Sequence, residues 1–316
     1  MRRAKITVVG SFAVGLTIRA PTLPAFGVTM LGRDFDLGPG GKGSNQAVAA
    51  ARLGADAALA AIIGRDRLAD IATDLYAAEG VDTALLAQTD ARPTGVGFII
   101  LNQGGENFII LDMGANDLMD AAFVDRAEAR IAASDVVMAV LEIPLPAAMR
   151  AMELGRRHGV KTILNPAPAA PLPDAIFPLI DYMTPNESEL RILLGLAPDD
   201  PIPSRELADR LRRRGVANVV VTLGSRGALV VTNSIDATIP APGVEVVDTT
   251  GAGDAFNAGF AVALAEGREV IDAVRYGVAC GALVCTRLGV IPGLPERSAA
   301  DRMQHAIMSA VGKGKP

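Results

Sequence analysis

Tryptophan is absent from the 316-residue chain, and cysteine and histidine occur only twice each. Two distant histidines, His158 and His305, and two cysteines make no zinc site, which takes four nitrogen or sulfur ligands. Cys280 and Cys285 stand five apart in a helical stretch, so they fall on different faces and do not pair with each other. A reducing, cytoplasmic setting is the expectation. Aromatic residues make up 4% of the chain against 50% hydrophobic residues, which leaves a core of aliphatic side chains and alanine. No apolar run approaches the roughly 20 residues that span a bilayer. Basic residues are outnumbered 30 to 35, for a net charge of −5, which argues against a nucleic-acid footprint. The start, Met1-Arg2-Arg3-Ala4-Lys5, is basic, but the apolar Ile6–Val9 behind it is too short for a signal-peptide core and reads as a first strand.

Glycine and proline are plentiful, at 33 and 20, as an alternation of short strands and helices requires. Strands are expected at Ile6–Gly10, Leu59–Ile63, Val136–Val140, Thr162–Leu164, Tyr182–Thr184, Val219–Thr222 and Ala228–Thr232. They are mostly apolar, which suits strands buried on both faces of a parallel sheet. Helices are expected at Gln46–Leu53, Leu68–Glu79, Ala147–His158 and Arg205–Arg214, with a long helical block from Asp254 to about Cys285. The order predicts an α/β three-layer sandwich, a mostly parallel central sheet flanked by helices. Residues 12–38 and 95–111 break the pattern. The second holds two strand-like runs, Gly95–Leu101 and Asn107–Leu111, joined by a Gly-containing loop that reads as a hairpin. Together the two segments predict a small β-sheet lid within one domain spanning 1–316. The tail Gly312–Pro316 is expected to be disordered.

Four constellations could carry chemistry. Gly38-Pro39-Gly40-Gly41-Lys42-Gly43-Ser44-Asn45-Gln46 opens a helix and should expose polarised N–H groups there. It is not a Walker A loop: Gly43 follows the Gly-Lys pair where Ser or Thr is needed, and Asp36 stands at the upstream Gly position. A tight turn before a helix is the plain alternative. Asp248-Thr249-Thr250-Gly251-Ala252-Gly253-Asp254 follows a strand-like Val244–Val247 and opens a second helix, so its N–H groups can converge on an anion. A carboxylate in a mere phosphate cradle would repel its ligand; Asp254 makes sense as a base beside a transferring phosphoryl group, or else as a helix cap. Thr184-Pro185-Asn186-Glu187-Ser188-Glu189 puts Asn186 and Glu189 on one face of a first helical turn. They could hold the water shell of Mg²⁺ or form a capping box. Thr222-Leu223-Gly224-Ser225-Arg226-Gly227 joins two strands and offers hydroxyls, N–H groups and a guanidinium, or is a plain hairpin turn.

These motifs in this order, with Asn165-Pro166-Ala167-Pro168 and Thr286-Arg287-Leu288-Gly289, resemble the ribokinase-like (PfkB-type) carbohydrate kinases over nearly the whole chain. The resemblance implies transfer of the γ-phosphate of ATP to a primary sugar hydroxyl, with ribose as the default. It implies that Gly41, Lys42, Gly43, Ser44 and Asn45 bind the sugar with Glu142. Asn186, Thr222, Leu223, Gly224, Ser225, Arg226, Gly227 and Gly253 would face ATP, and Glu189 would lie near Mg²⁺ through water. Gly251, Ala252 and Gly253 would form the anion hole and Asp254 the base. Asp248, Thr250, Val284, Arg287, Gly289 and Gly293 would hold a monovalent cation, usually K⁺. A homodimer through the lid is implied as well. One departure stands out. Family members carry an Asn and, two residues later, an Asp that holds sugar hydroxyls, where this chain has Ala13 and Gly15. That keeps a nucleoside kinase of the same superfamily, or a catalytically idle metabolite-binding regulator, in view.

Overall fold

In a computed structural model the chain is described over residues 2–23, 25–102 and 107–313. Thirteen strands are placed among them: β1 Lys5–Val9, β2 Ala13–Arg19, β3 Arg33–Gly40, β4 Asp56–Gly64, β5 Leu86–Thr89, β6 Gly95–Leu101, β7 Asn107–Asp112, β8 Val136–Val140, β9 Lys161–Asn165, β10 Tyr182–Met183, β11 Asn218–Thr222, β12 Ala228–Val231 and β13 Asp236–Ile239. The helices are α1 Lys42–Arg52, α2 Arg67–Glu79, α3 Ala121–Asp125, α4 Glu128–Ala132, α5 Leu145–His158, α6 Glu187–Leu193, α7 Ser204–Arg213, α8 Ala252–Ala265, α9 Val270–Val284, α10 Val290–Gly293 and α11 Arg297–Lys313.

Nine strands form one sheet in the order β13-β12-β11-β10-β9-β8-β1-β4-β5. Every pairing from β11 to β5 is parallel, and β12 and β13 add an antiparallel edge. All of β8 and nearly all of β4 are buried. That is the signature of strands covered by helices on both faces, and it explains their unbroken apolar sequence. With few aromatics available, close packing is reached through small side chains. Ala47, Ala49 and Ala50 of α1, and Ala255, Ala258 and Ala261 of α8, are fully buried, so the two helices carrying the glycine-rich motifs pack closely together.

The lid is a separate sheet in the order β3-β2-β6-β7. The strands β2 and β6 run parallel, and the outer pairs are antiparallel. The expected hairpin of β6 and β7 is present; its loop, 103–106, lies outside the described residues, as do residues 314–316 of the tail.

Three expectations are corrected. Val244–Val247 is not a strand: Val246 and Val247 are exposed, and the segment hydrogen-bonds through Val247 N to Cys285 O, so no neighbouring strand pairs with it. The helical block after Asp254 is two helices, interrupted at Glu266–Glu269, which lets α9 fold back along α8. Gly312 and Lys313 belong to α11 rather than to a disordered tail.

Candidate active site

The motifs meet where the parallel strands end. At their carboxyl ends β1 leads to Ser11, β8 to Glu142, β9 ends at Asn165, β10 leads to Thr184–Asn186 and β11 ends at Thr222. This is the side of an open α/β sheet where ligands bind.

Asp254 sits in the first turn of α8, and the N-cap position before that helix is Gly251, which has φ +80° and no side-chain capping bond. The cap reading of Asp254 therefore fails. Its buried carboxylate turns away from its own backbone and towards α1. There Asn45 Nδ2 donates to Oδ2 at 2.8 Å and Gln46 Nε2 donates to Oδ1 at 3.2 Å. Next to it on the chain, Gly253 is exposed at the uncapped helix start, where the positive end of the helix dipole favours an anion.

The start of α1 differs from expectation. Its first N–H groups are not offered to a ligand, because the protein already fills them. Lys42 N donates to Glu142 Oε2 at 2.7 Å, Gly43 N to Ser11 Oγ at 3.3 Å, and Ser44 N to Ser11 O at 2.9 Å. Ser11 Oγ donates to the same Glu142 oxygen at 2.5 Å. Glu142 is thus the anion held at this helix N-terminus. Gly43 serves packing: a Cβ there would lie 2.4 Å from Ser11 N. Ser44 is fully buried and faces Tyr76, away from the cleft. Asn45 keeps one buried oxygen, Oδ1, without a hydrogen-bond partner.

Lys42 ties the acids together electrostatically. Burial alone would lower its ammonium; the charges of Asp254, Glu142 and Glu189 reverse that and hold it above its ordinary value. Burial raises Glu142, against the opposing pull of Lys42 and of the hydrogen bonds from Ser11 and Lys42 N. Burial raises Glu189 as well, against the Asn186 N–H and Lys42. One cation and three carboxylates therefore share one neighbourhood, assembled from residues up to 212 positions apart, the span from Lys42 to Asp254.

On the other flank, Asn186 and Glu189 form a capping box at α6. Asn186 Oδ1 accepts from Glu189 N and Asn186 N donates to Glu189 Oε2, both at 2.8 Å. Thr222 lies beside Asn186, with Thr222 N donating to Pro185 O at 2.9 Å. The turn after it is closed by Leu223 N to Gly227 O at 2.8 Å and leaves Gly224, Ser225 and Arg226 exposed. Arg226 pairs with Glu187. Gly227 belongs to packing, since a Cβ there would collide with Ile239 O.

The last set converges around Asp248. Its Oδ1 accepts from Thr250 N at 2.9 Å and Thr250 Oγ1 at 2.7 Å, and its Oδ2 accepts from Gly289 N at 3.0 Å. Burial would raise this carboxyl, but these hydrogen bonds and the charge of Arg19 hold it below its usual value. Gly293 lies against Val284 O, which accepts from Arg287 N at 3.2 Å. Among the described residues no cluster of three His, Cys, Asp or Glu is arranged as a metal site, and no helix is long and apolar enough to cross a membrane.

Sequence reading passed over three positions: Ser11, which anchors Glu142; Gln46, which touches Asp254; and Asn257, which accepts from Thr184 Oγ1 at 2.5 Å and donates to Gly253 O at 2.8 Å. Ser11 and Gln46 stood inside or beside quoted motifs, but their partners lie more than 100 residues away. Beneath the lid, Ala13 and Gly15 of β2 face the same side as Gly38 of β3 and Gly97 of β6. The wall there carries almost no side chain. A cavity of about 540 Å³ at the end of the lid, lined by Arg19, Leu31, Arg33 and Asn102 among others, shares only Arg19 with the residues above.

Comparisons with known proteins bear on the family and the fold. The profile of the pfkB family carbohydrate kinases matches residues 3–297. The chain is 37% identical over 305 residues to a ribokinase from Haemophilus influenzae, covering 96% of this chain and 100% of that protein. Its fold matches a ribokinase structure from Thermotoga maritima with a TM-score of 0.87 at 32% identity, over 96% of this chain and 99% of that one. It also matches an Arabidopsis thaliana ribokinase complexed with ribose and ATP, with a TM-score of 0.89 at 28% identity, again over 96% and 99%. From motif order, site geometry and these likenesses together, the chain belongs to the pfkB family of carbohydrate kinases.

Proposed function

We propose that this enzyme transfers the γ-phosphoryl group of ATP to a primary hydroxyl of a sugar or sugar-like alcohol, with Asp254 as the base. The carrying observation is the placement of Asp254: a buried carboxylate at the uncapped start of α8, oriented by Asn45 and Gln46 and within the field of Lys42. Asp254 accepts the hydroxyl proton. At the positive end of the helix the N–H groups of Gly251 and Gly253 face the charge spread over the phosphoryl oxygens, Ala252 N being taken by Thr249 O at 3.2 Å, and the Lys42 ammonium adds to them. The unpaired Asn45 Oδ1 and the half-buried Glu142 carboxyl are available to the alcohol's other hydroxyls. The nucleotide lies along Asn186, Thr222 and the turn to Gly227. The lid, closing over the site, keeps water from taking the phosphoryl group.

The residues fit the ions that phosphoryl transfer implies. Glu189 is partly buried on the same side as Lys42 and Asp254, and would hold Mg²⁺ through water, the ion neutralising phosphate charge. Asp248, Thr250, Val284, Arg287, Gly289 and Gly293 would supply the carboxylate, hydroxyl and carbonyl oxygens that a hard monovalent cation such as K⁺ takes. Outward from the site, Leu37, Leu16, Phe98 and Ile110 form a row across all four lid strands, and all but Leu16 are exposed. This row supports pairing of two lids into a homodimer.

Ribose is the reference substrate, given the relatives' names. A second reading, a nucleoside kinase, is favoured by the bare wall at Ala13, Gly15, Gly38 and Gly97, which leaves room for a bulkier group. A coupled ADP-release assay over sugars and nucleosides separates the two. Asp254→Asn should lose about 10²- to 10⁴-fold in turnover, the usual contribution of a general base. Undiminished turnover in that variant would overturn the assignment, and a folded wild type that turns over no alcohol would point to a metabolite-binding regulator.

A further inference from the structure

We infer that Gln46 is a positioning residue whose amide, held by a buried relay, aims the Asp254 carboxylate; the inference rests on the reading of Asp254 as the base. Gln46 is fully buried. Its Nε2 donates at once to Asp254 Oδ1, at 3.2 Å, and to Asn165 Oδ1, at 3.0 Å. Asn165 Nδ2 in turn donates to Thr184 O at 3.2 Å. A backbone carbonyl only accepts, so it fixes which end of Asn165 faces it. That leaves Asn165 Oδ1 towards Gln46 and obliges Gln46 to present its NH₂. Flipping Gln46 would set its oxygen against two other oxygens. The relay therefore has a direction, from β10 through β9 and α1 to the base.

Gln46 Oε1 supports this. It is buried and has no hydrogen-bond partner, a standing cost in a closed interior. The amide is oriented for its two donations, not to satisfy its own oxygen. The chain also closes on the anion hole: Thr184 Oγ1 donates to Asn257, which donates to Gly253 O. Base and anion hole are thus braced from one strand end, and small displacements of reacting groups cost rate steeply.

The test uses the full chain with MgATP and D-ribose in an ADP-release assay. Gln46→Met keeps the length and removes the donor. It should lower kcat about 10- to 100-fold with both KM values unchanged, in the range expected for a misplaced catalytic group. Asn165→Leu should act through the same link, so the double variant should be no slower than the slower single one. In an Asp254→Asn background, Gln46→Met should leave the residual rate unchanged. A further fall by the same factor there, or a rise in KM with kcat intact, overturns the inference. Asp254→Asn at wild-type rate instead overturns the base reading. A readout free of any sugar is the thermal-unfolding cycle of Gln46→Met and Asp254→Asn. The double variant should lose less Tm than the sum of the singles, and additive losses would overturn the contact.

Discussion

Placing a carboxylate on the bare wall of the lid is the most informative change that this structure suggests. At Gly15 a Cβ would have Gly38 O and Ile99 Cδ1 as its nearest neighbours, each at 3.7 Å, an ordinary contact. The residue lies within β2 and has no positive φ, so Gly15→Asp brings neither clash nor backbone strain. Its carboxylate would project on the side where the wall now offers Ala13, Gly38 and Gly97. The resemblance to the family implies an acid here that holds sugar hydroxyls. Two charge-assisted hydrogen bonds at about 1.5–3 kcal/mol each, less the ordering and desolvation of the new side chain, leave a net gain of about 2–3 kcal/mol. At 1.4 kcal/mol per tenfold, that is roughly 30- to 150-fold in kcat/KM for ribose.

The assay is steady-state ADP release with ribose and 2-deoxyribose compared side by side. The gain should fall on the alcohol's kcat/KM, with KM for ATP unchanged. It should be clearly smaller for 2-deoxyribose, which lacks one of the two hydroxyls. A variant that melts like the wild type and shows no gain on ribose would refute the placement of Gly15 against the substrate. An equal gain on both sugars would refute the hydroxyl argument while leaving the placement standing.

Asp66 tests the scaffold under the lid. Its carboxylate caps α2 through Leu68 N and Ala69 N and also takes Thr94 N and Thr94 Oγ1, at 2.7–3.0 Å. Asp66→Ala should cost about 2–4 kcal/mol at neutral pH, a cap plus orphaned donors, read by denaturant unfolding. Burial would raise this carboxyl, but the hydrogen bonds from Thr94, Ala69 and Leu68 hold it below its usual value. The stability it adds is present above the unfolded carboxylate value and is lost as pH falls through the lowered one. Wild type and variant should therefore converge on acidification, and a constant gap down to pH 3 would contradict the linkage. At the anion hole two glycines should part company. Gly251→Ala meets a left-handed backbone and a Val290 Cγ1 atom 2.5 Å from its Cβ; it should lose both stability, by at least the roughly 1–2 kcal/mol of an αL residue, and turnover. Gly253→Ala has nothing within 4 Å and should keep its Tm, so any fall in kcat there reports a phosphate that approaches Gly253. Equal Tm losses in the two variants would count against that distinction.

Local patterns were legible where one stretch of chain decides them. The mostly apolar runs at Val136–Val140 and Val219–Thr222 suited covered strands, and the structure places both in the large sheet. Val244–Val247 shows the limit. Its β-branched composition is right for a strand, but pairing needs a free neighbour, and sequence does not show that this segment runs beside the end of α9 instead. The lid was legible as a break in periodicity and as one hairpin. The parallel pairing of β2 with β6 was not, because it joins residues about 80 positions apart.

The site divides in the same way. Asp254 could be read from a motif because the chemistry sits in consecutive residues: glycines to open the helix, then an acid. The glycines around Lys42 misled, since a glycine-rich turn has the same sequence whether a ligand or the protein's own backbone approaches it. Here Ser11 and Glu142 take the N–H groups, and only the fold reveals that those groups were already spoken for. What fixes Asp254 is likewise non-local: Asn45 and Gln46 reach it across 209 and 208 residues, and Asn165 steadies Gln46 across 119. A base is nameable from its own segment; the groups that aim it come from wherever the sheet delivers a strand end, and that delivery is a property of the topology.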